Sequence, residues 1–131
     1  MSHDDLPDHV FPIGSVPHEW LFPQLAAVVH HGGAGTTAAG LRAGVPSIVT
    51  PFFGDQFFWG ERVAALGTGP QPIPVKRLTA DRLTFALQGV MNNEMIQERA
   101  SSVGERIRAE AGVARAVEAI GKLEGRAPLL R

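Results

Sequence analysis

The chain contains no cysteine among its 131 residues, and this absence excludes disulfide bonds and thiolate metal sites. A sequence without cysteine suits a reducing compartment. The chain also has no HExxH motif and no cluster of aspartates, which are common sequence signatures of metal-binding enzymes. We therefore expect no metal site.

An excess of charge of one sign and a long apolar run are missing as well. Twelve Lys and Arg residues oppose thirteen Asp and Glu residues, so no basic field is available to attract nucleic acid. No apolar run approaches the ~20 residues of a membrane-spanning helix, and the start, MSHDDLPDHV, lacks the apolar core of a signal peptide. We expect a soluble, cytoplasmic domain with a single core that binds no nucleic acid.

Short apolar runs and segments with helical spacing alternate along the chain. The runs Ala26–His30 and Ser47–Thr50 are typical of strands that are covered on both faces of a parallel sheet. The sequence also predicts weaker strands at Val10–Ile13 and Pro70–Val75, a helix broken near Pro23 within His18–Leu25, and helices at Gly35–Ala43, at Gln56–Leu66, after Thr79 as N-cap, after Asn92 or Asn93, and at Val113–Leu123. This order predicts an α/β fold, a three-layer parallel sheet with helices on both faces. Three or four strands are few for such a fold, so the sheet is either small or part of a larger one.

The segment HHGGAGTT, which begins at His30, follows the first predicted strand. Glycines in a turn allow a ligand to approach the backbone closely, and the N–H groups that open the next helix point at that ligand. His31 and Thr36 add side-chain donors, whereas His30 is expected to point into or across the sheet. A tight turn alone explains the glycines but not these donors, so we predict a phosphate site. Asp55 and Gln56, after the second strand, can hold what the phosphate carries.

A dinucleotide-binding oxidoreductase is an alternative interpretation of the same glycines. Gly33, Gly35 and Ala38 satisfy the G-x-G-x-x-G/A pattern. Asp55 follows Gly35 at the ~20-residue spacing of that fingerprint. However, Asp55 lies beyond Pro51 rather than at the end of the second strand. The fingerprint also normally follows the first strand of its domain, and a strand and a helix are predicted to precede it here.

The segments Ser15–Val63 and Ile73–Leu83 resemble the C-terminal domain of a GT-B glycosyltransferase of Rossmann-like fold. They are most similar to the sterol 3-beta-glucosyltransferases and to the macrolide and glycopeptide glycosyltransferases, a branch of the UDP-glycosyltransferase family. The resemblance implies an inverting enzyme that moves a hexose, usually glucose, from a UDP-sugar to a hydroxyl of a lipophilic acceptor such as a sterol. The UDP-sugar would be a co-substrate, and no cofactor is implied.

The resemblance also implies roles for individual residues. Three groups of positions match those of the family: the donor diphosphate would be bound by His31, Gly33, Gly35 and Thr36, the sugar by Asp55 and Gln56, and the uracil and ribose by Val16, Pro17 and His18.

Two positions depart from the plant members of the family. Ser15 stands where those enzymes stack a tryptophan on uracil, and Ala39 stands where they have a glutamate that binds ribose. A thymidine-diphosphate sugar therefore stays open as the donor.

In this family the catalytic base and the acceptor pocket belong to an N-terminal domain, so the resemblance implies no catalytic base in this chain. We expect residues 1–131 to be a donor-binding fragment that is inactive alone, self-associates through its exposed docking surface, and belongs to an enzyme that can be peripheral to a membrane. The alternative in a different class is a stand-alone nucleotide-sugar-binding subunit that works with a separate acceptor-domain partner.

Overall fold

The computed structural model describes residues 6–125, and its centre is a parallel pair of short strands. Strand β1 (Val28–His30) pairs with β2 (Ser47–Val49), and His30 lies opposite Val49. Helix α2 (Ala34–Ala43) forms the crossover that a parallel pair requires. Both strands therefore end at the same edge of the sheet, where the two loops that follow them can meet.

The other described elements are helical. They are α1 (His18–Leu21), which continues as a 3-10 turn over Phe22–Gln24, α3 (Gln56–Ala65), α4 (Ala80–Met91), α5 (Glu94–Ala109) and α6 (Gly112–Glu124), with a second 3-10 turn at Val75–Arg77. The predicted break near Pro23 is confirmed, since the proline falls in the 3-10 turn rather than in α1. No helix among residues 6–125 is long and apolar enough to span a membrane.

The predicted helix start at Thr79 is confirmed, and of the two candidates Asn92 and Asn93 the structure has Asn93 as the N-cap. The Thr79 hydroxyl accepts the Arg82 N–H at 3.2 Å, and the Asn93 side chain accepts the Ile96 N–H at 3.2 Å. Each bond satisfies one of the amides that a helix leaves without an internal partner.

Two of the predicted strands are wrong. Val10–Ile13 is irregular, and because it pairs with no strand in the described part of the chain, Phe11 is 79% exposed. Pro70–Val75 does run beside β2, where the Ile73 N–H donates to the Val49 carbonyl at 2.9 Å. Its alternating prolines lack the N–H groups of a continuous ladder, so the segment does not become a strand. The described residues thus contain two strands instead of three or four.

Helices pack on both sides of β2. Ile48 is fully buried in a cluster with Ala86 and Val90 of α4. Val49, whose side chain points to the opposite face, lies against α3, since a Cβ at Gly60 would be 3.3 Å from its Cγ1. Val29 of β1 is 43% exposed, so the expectation that β1 is covered on both faces is wrong.

Candidate functional site

The turn between β1 and α2 is pressed against the start of α3. Gly32 has φ +91°, and a Cβ there would be 2.6 Å from Val49 Cγ1 and 2.9 Å from the carbonyl oxygen of Gln56. Only glycine fits this conformation and this space. The contact brings the glycine turn and the Asp55–Gln56 segment to one place, as their positions after two parallel strands predict.

The first turn of α2 faces open space beside this contact. The N-cap is Gly33, which has no side chain to accept an N–H of the first turn. The first amides of an α-helix also have no partner within the helix. A Cβ at Gly35 would meet nothing within 4 Å, and Thr36 is half-buried in the same turn. This end of the helix carries a partial positive charge that can stabilise an anion.

His31 lies exposed at the edge of the turn, with its ring against the backbone of the helix start. A Cβ at Gly33 would be 2.5 Å from His31 Nε2, which places the imidazole directly beside the N-cap. The structure therefore groups His31, Gly33, Gly35 and Thr36 in one turn. Their contact with a diphosphate stays a prediction.

His30 has a structural partner that the sequence did not reveal. Its Nδ1 accepts the Gly32 N–H at 3.0 Å, so the half-buried ring turns back toward the glycine turn. Burial, followed by the charges of His31 and His18, lowers the pKa of His30 to about 4. A histidine next to a Gly-Gly pair at a strand end was the only available signal.

Asp55 and Gln56 differ sharply in their surroundings. Gln56 is only 7% exposed, and its Oε1 accepts the N–H groups of Phe52 at 2.8 Å and Phe53 at 3.3 Å. Asp55 is exposed at the N-cap of α3, where its Oδ2 accepts the indole N–H of Trp59 at 3.1 Å. Gln56 therefore orders the loop, and Asp55 presents the carboxylate that a ligand can reach. Sugar binding by either residue stays a prediction.

The Val16–Pro17–His18 segment forms the start of α1. Val16 is half-buried, and the carbonyl of the exposed Pro17 accepts the N–H groups of Trp20 and Leu21 at 3.1 Å. The His18 ring stacks on Phe22 with 4.5 Å between centroids. Helix α1 packs against α2, the helix that begins at the glycine turn.

Within the described range, no three His, Asp or Glu side chains are grouped closely enough to hold a metal ion.

Residues 2–123 match the family model of the erythromycin biosynthesis protein CIII-like C-terminal domain. The chain belongs to this family.

Curated relatives of this family member are sterol glucosyltransferases. The chain is 47% identical to sterol 3-beta-glucosyltransferase UGT80B1 of Arabidopsis thaliana over 115 residues, which are 88% of this chain and 18% of the relative. It is 53% identical to the sterol 3-beta-glucosyltransferase of Emericella nidulans over 115 residues, which are 88% of this chain and 8% of the relative. The chain thus spans less than a fifth of the length of either protein.

Solved structures show the same fold in glycosyltransferases. The glycotransferase of kitacinnamycin superposes with a TM-score of 0.83 at 32% identity, over 92% of this chain and 31% of that protein. Glycosyltransferase VinC in complex with DTDP superposes with a TM-score of 0.74 at 32% identity, over 87% of this chain and 30% of that protein. The chain is a glycosyltransferase C-terminal domain of the GT-B type, and this assignment favours the glycosyltransferase interpretation over the oxidoreductase.

Proposed function

We propose that this chain binds the sugar donor of an inverting glycosyltransferase at the edge where the two strands end. The observation that carries the proposal is the contact of Gly32 with the Gln56 carbonyl, because it joins the predicted phosphate turn and the predicted sugar loop into one site. A nucleoside diphosphate sugar is the ligand that needs both halves, since its diphosphate is anionic and its sugar presents hydroxyls.

The donor we propose is a UDP-hexose, with glucose as the sugar. Support for glucose comes from the names of the curated relatives, which are sterol 3-beta-glucosyltransferases. VinC, in contrast, was solved with DTDP, and the spinosyn rhamnosyltransferase SpnG with thymidine diphosphate at 26% identity. A thymidine-diphosphate sugar is therefore the competing donor, and a direct comparison of the two nucleotides has to decide.

The proposed chemistry is stabilisation of a departing diphosphate. His31 and the Thr36 hydroxyl would donate hydrogen bonds to phosphate oxygens, and the amides of the first turn of α2 would add their partial positive charge. Asp55 would accept hydrogen bonds from sugar hydroxyls. These groups are held in place before the ligand arrives, because Gly32 is packed against β2 and α3.

We propose that a sterol or another lipophilic alcohol is the acceptor, and that the acceptor pocket and the base lie in an N-terminal domain. The chain spans about a third of the solved relatives, which leaves length for such a domain in those proteins. We further propose that β1 and β2 belong to a larger parallel sheet, the middle layer of a three-layer fold with helices on both faces.

A titration with four nucleotides tests the donor assignment. UDP, UDP-glucose, TDP and NAD are added to the 131-residue chain while its thermal unfolding is followed. A nucleotide at ten times its dissociation constant adds about 1.4 kcal/mol to the free energy of unfolding. We expect UDP and UDP-glucose to stabilise the chain and NAD to have no effect. Stabilisation by NAD without stabilisation by UDP or TDP would overturn the proposal.

A further inference from the structure

His30 carries an imidazole beside the candidate site, and the proposed function leaves this imidazole without a role. The residue ends β1, where its carbonyl accepts the Thr50 N–H at 2.8 Å. Its side chain then turns toward the following loop, and Nδ1 accepts the Gly32 N–H at 3.0 Å. One residue therefore connects the first strand, the end of the second strand and the glycine turn.

The His30–Gly32 hydrogen bond spans His31. A side-chain acceptor that bonds to the N–H two residues later closes a small ring, as Asn and Asp do in Asx turns. This ring restricts the backbone of His31. On its other side the turn cannot shift, since Gly32 is in contact with Val49 and with the Gln56 carbonyl. The backbone that carries the His31 side chain is thus restricted by groups on both sides of the turn.

The hydrogen bond requires a particular protonation state of His30. Nδ1 can accept only when it carries a lone pair, so the single proton of the neutral ring lies on Nε2. Burial and the neighbouring His31 and His18 lower the pKa of His30 to about 4, which keeps the ring neutral near neutral pH. Nε2 is buried, and no protein group within residues 6–125 accepts its proton.

We infer that His30 is a positioning residue of the donor site: its imidazole accepts the Gly32 N–H, holds the glycine turn in this conformation, and so directs His31 and the first turn of α2 at the diphosphate. The inference rests on the proposed function for its ligand. The two adjacent histidines thus have different roles: His30 shapes the turn as an acceptor, and His31 contacts the ligand as a donor.

Two substitutions at this position separate the acceptor from the bulk of the ring. His30→Asn keeps an acceptor oxygen near the place of Nδ1, whereas His30→Leu fills similar space without any acceptor. We expect His30→Leu to weaken UDP binding about tenfold or more and uridine binding by less than about twofold, because the turn serves the phosphates. His30→Asn should recover most of the lost affinity.

Nuclear magnetic resonance supplies a readout that does not depend on the ligand. Long-range proton–nitrogen spectra of the wild-type chain should show His30 as the Nε2–H tautomer. The Gly32 amide should exchange slowly with solvent in the wild type and in His30→Asn, and rapidly in His30→Leu. His31→Ala is the matched control, because it should lose UDP affinity while the Gly32 amide stays protected.

A failure of the His30 inference can be told apart from a failure of the donor assignment. If the wild type binds neither UDP nor TDP, the proposed function fails, whereas the tautomer and the Gly32 exchange still decide whether His30 holds the turn. An Nδ1–H tautomer would overturn the inference, as would equal UDP affinity of His30→Leu and the wild type, or a folded His30→Asn chain that binds UDP no better than His30→Leu. If His30→Leu does not fold, the tautomer and the UDP affinity of His30→Asn decide.

Discussion

At the scale of single residues, the two histidines of the turn have opposite surroundings. The ring of His30 is half-buried and accepts a backbone N–H, and burial lowers its pKa to about 4. The ring of His31 is exposed and lies beside the N-cap of α2. Because a buried neutral ring cannot carry the charge that attracts phosphate, exposed His31 is the better placed of the two to contact an anionic ligand.

His31→Ala should weaken the binding of UDP but not that of uridine. The substitution removes a donor to the diphosphate, so we expect a loss of about 1.5–3 kcal/mol in UDP binding, which is the usual range for a hydrogen bond to a charged group. Uridine has no phosphate and should bind as before. Isothermal titration of both ligands measures the difference. If uridine loses as much affinity as UDP, His31 acts on the structure of the site and not on the phosphates.

Asp55→Ala should separate the sugar from the nucleotide. Among residues 6–125 the exposed carboxylate accepts one hydrogen bond, from the Trp59 indole, and is otherwise available to hydroxyl groups. We expect weaker binding of UDP-glucose with almost unchanged binding of UDP. Gln56→Ala is the contrasting variant, because it removes the acceptor of two loop amides and should lower the melting temperature. A loss of UDP affinity in Asp55→Ala equal to the loss for UDP-glucose would contradict the assigned role.

The lowered pKa of His30 predicts an acid-sensitive contribution to stability. In the unfolded chain the ring takes up a proton near pH 6.5, but in the folded chain it does so only near pH 4. Between these values the unfolded state binds more protons, so the free energy of unfolding falls as the pH falls. The contribution is complete above pH 6.5 and has been lost at about pH 4.

His30→Asn provides the comparison, because asparagine does not titrate. From pH 6.5 down to about pH 4 we expect the melting temperature of the wild type to fall further than that of the variant. His18 and His31, which face His30, are unchanged in both chains. Parallel pH profiles for the two chains would show that His30 ionises alike in the folded and unfolded states.

At the scale of elements, the connection from β1 to α2 combines a glycine that the fold requires with a glycine that leaves room for a ligand. Gly32 has a positive φ and no space for a side chain, whereas Gly35 lies in α2 and faces open space. The two positions are three residues apart, yet a methyl group should have different effects on stability and on binding at each of them.

Gly32→Ala should destabilise the chain, since a positive φ alone costs a residue with a side chain about 1–3 kcal/mol. Gly35→Ala should not lower stability, because alanine favours a helix more than glycine does, and it should reduce UDP affinity, because its methyl group would enter the proposed site. Gly89→Ala in α4 is the matched control, as its Cβ also meets nothing within 4 Å but lies away from the turn. Melting curves and UDP titrations of the three variants check these effects. Unchanged UDP affinity in Gly35→Ala would place the ligand elsewhere.

At the scale of the whole molecule, the proposed function assigns the chain the donor half of a transfer reaction. Proximity and orientation accelerate a transfer only when donor and acceptor are held together. The proposed site supplies groups for the diphosphate and the sugar. The match covers only 18% and 8% of the lengths of two curated relatives, so these proteins are several times longer than the chain.

We therefore predict that the 131-residue chain alone transfers no sugar. The assay uses radiolabelled UDP-glucose with a panel of sterols and phenols, and a full-length relative serves as the positive control. Turnover by the purified chain that disappears in Asp55→Ala would show that this domain is a complete enzyme.

The local features of this protein could be predicted from its sequence. The apolar runs identified both strands but also predicted one at Val10–Ile13 that the structure lacks. Thr79 marked the start of α4, the Asn92–Asn93 pair contained the start of α5, and the glycine turn marked the candidate site. These features depend on backbone conformation and hydrogen bonds within a few residues, and the sequence lists those residues side by side. The same local reasoning located the loop that contains Asp55.

Only the tertiary structure decided which groups are free to act. Gln56 is buried by its own loop, His30 accepts the Gly32 amide, and Pro70–Val75 lies beside β2 without joining it as a strand. In each case the outcome depends on which groups the folded chain brings within hydrogen-bonding distance and on how far burial removes them from water. A residue pattern shows which groups can donate or accept, but their partners exist only once the chain has folded.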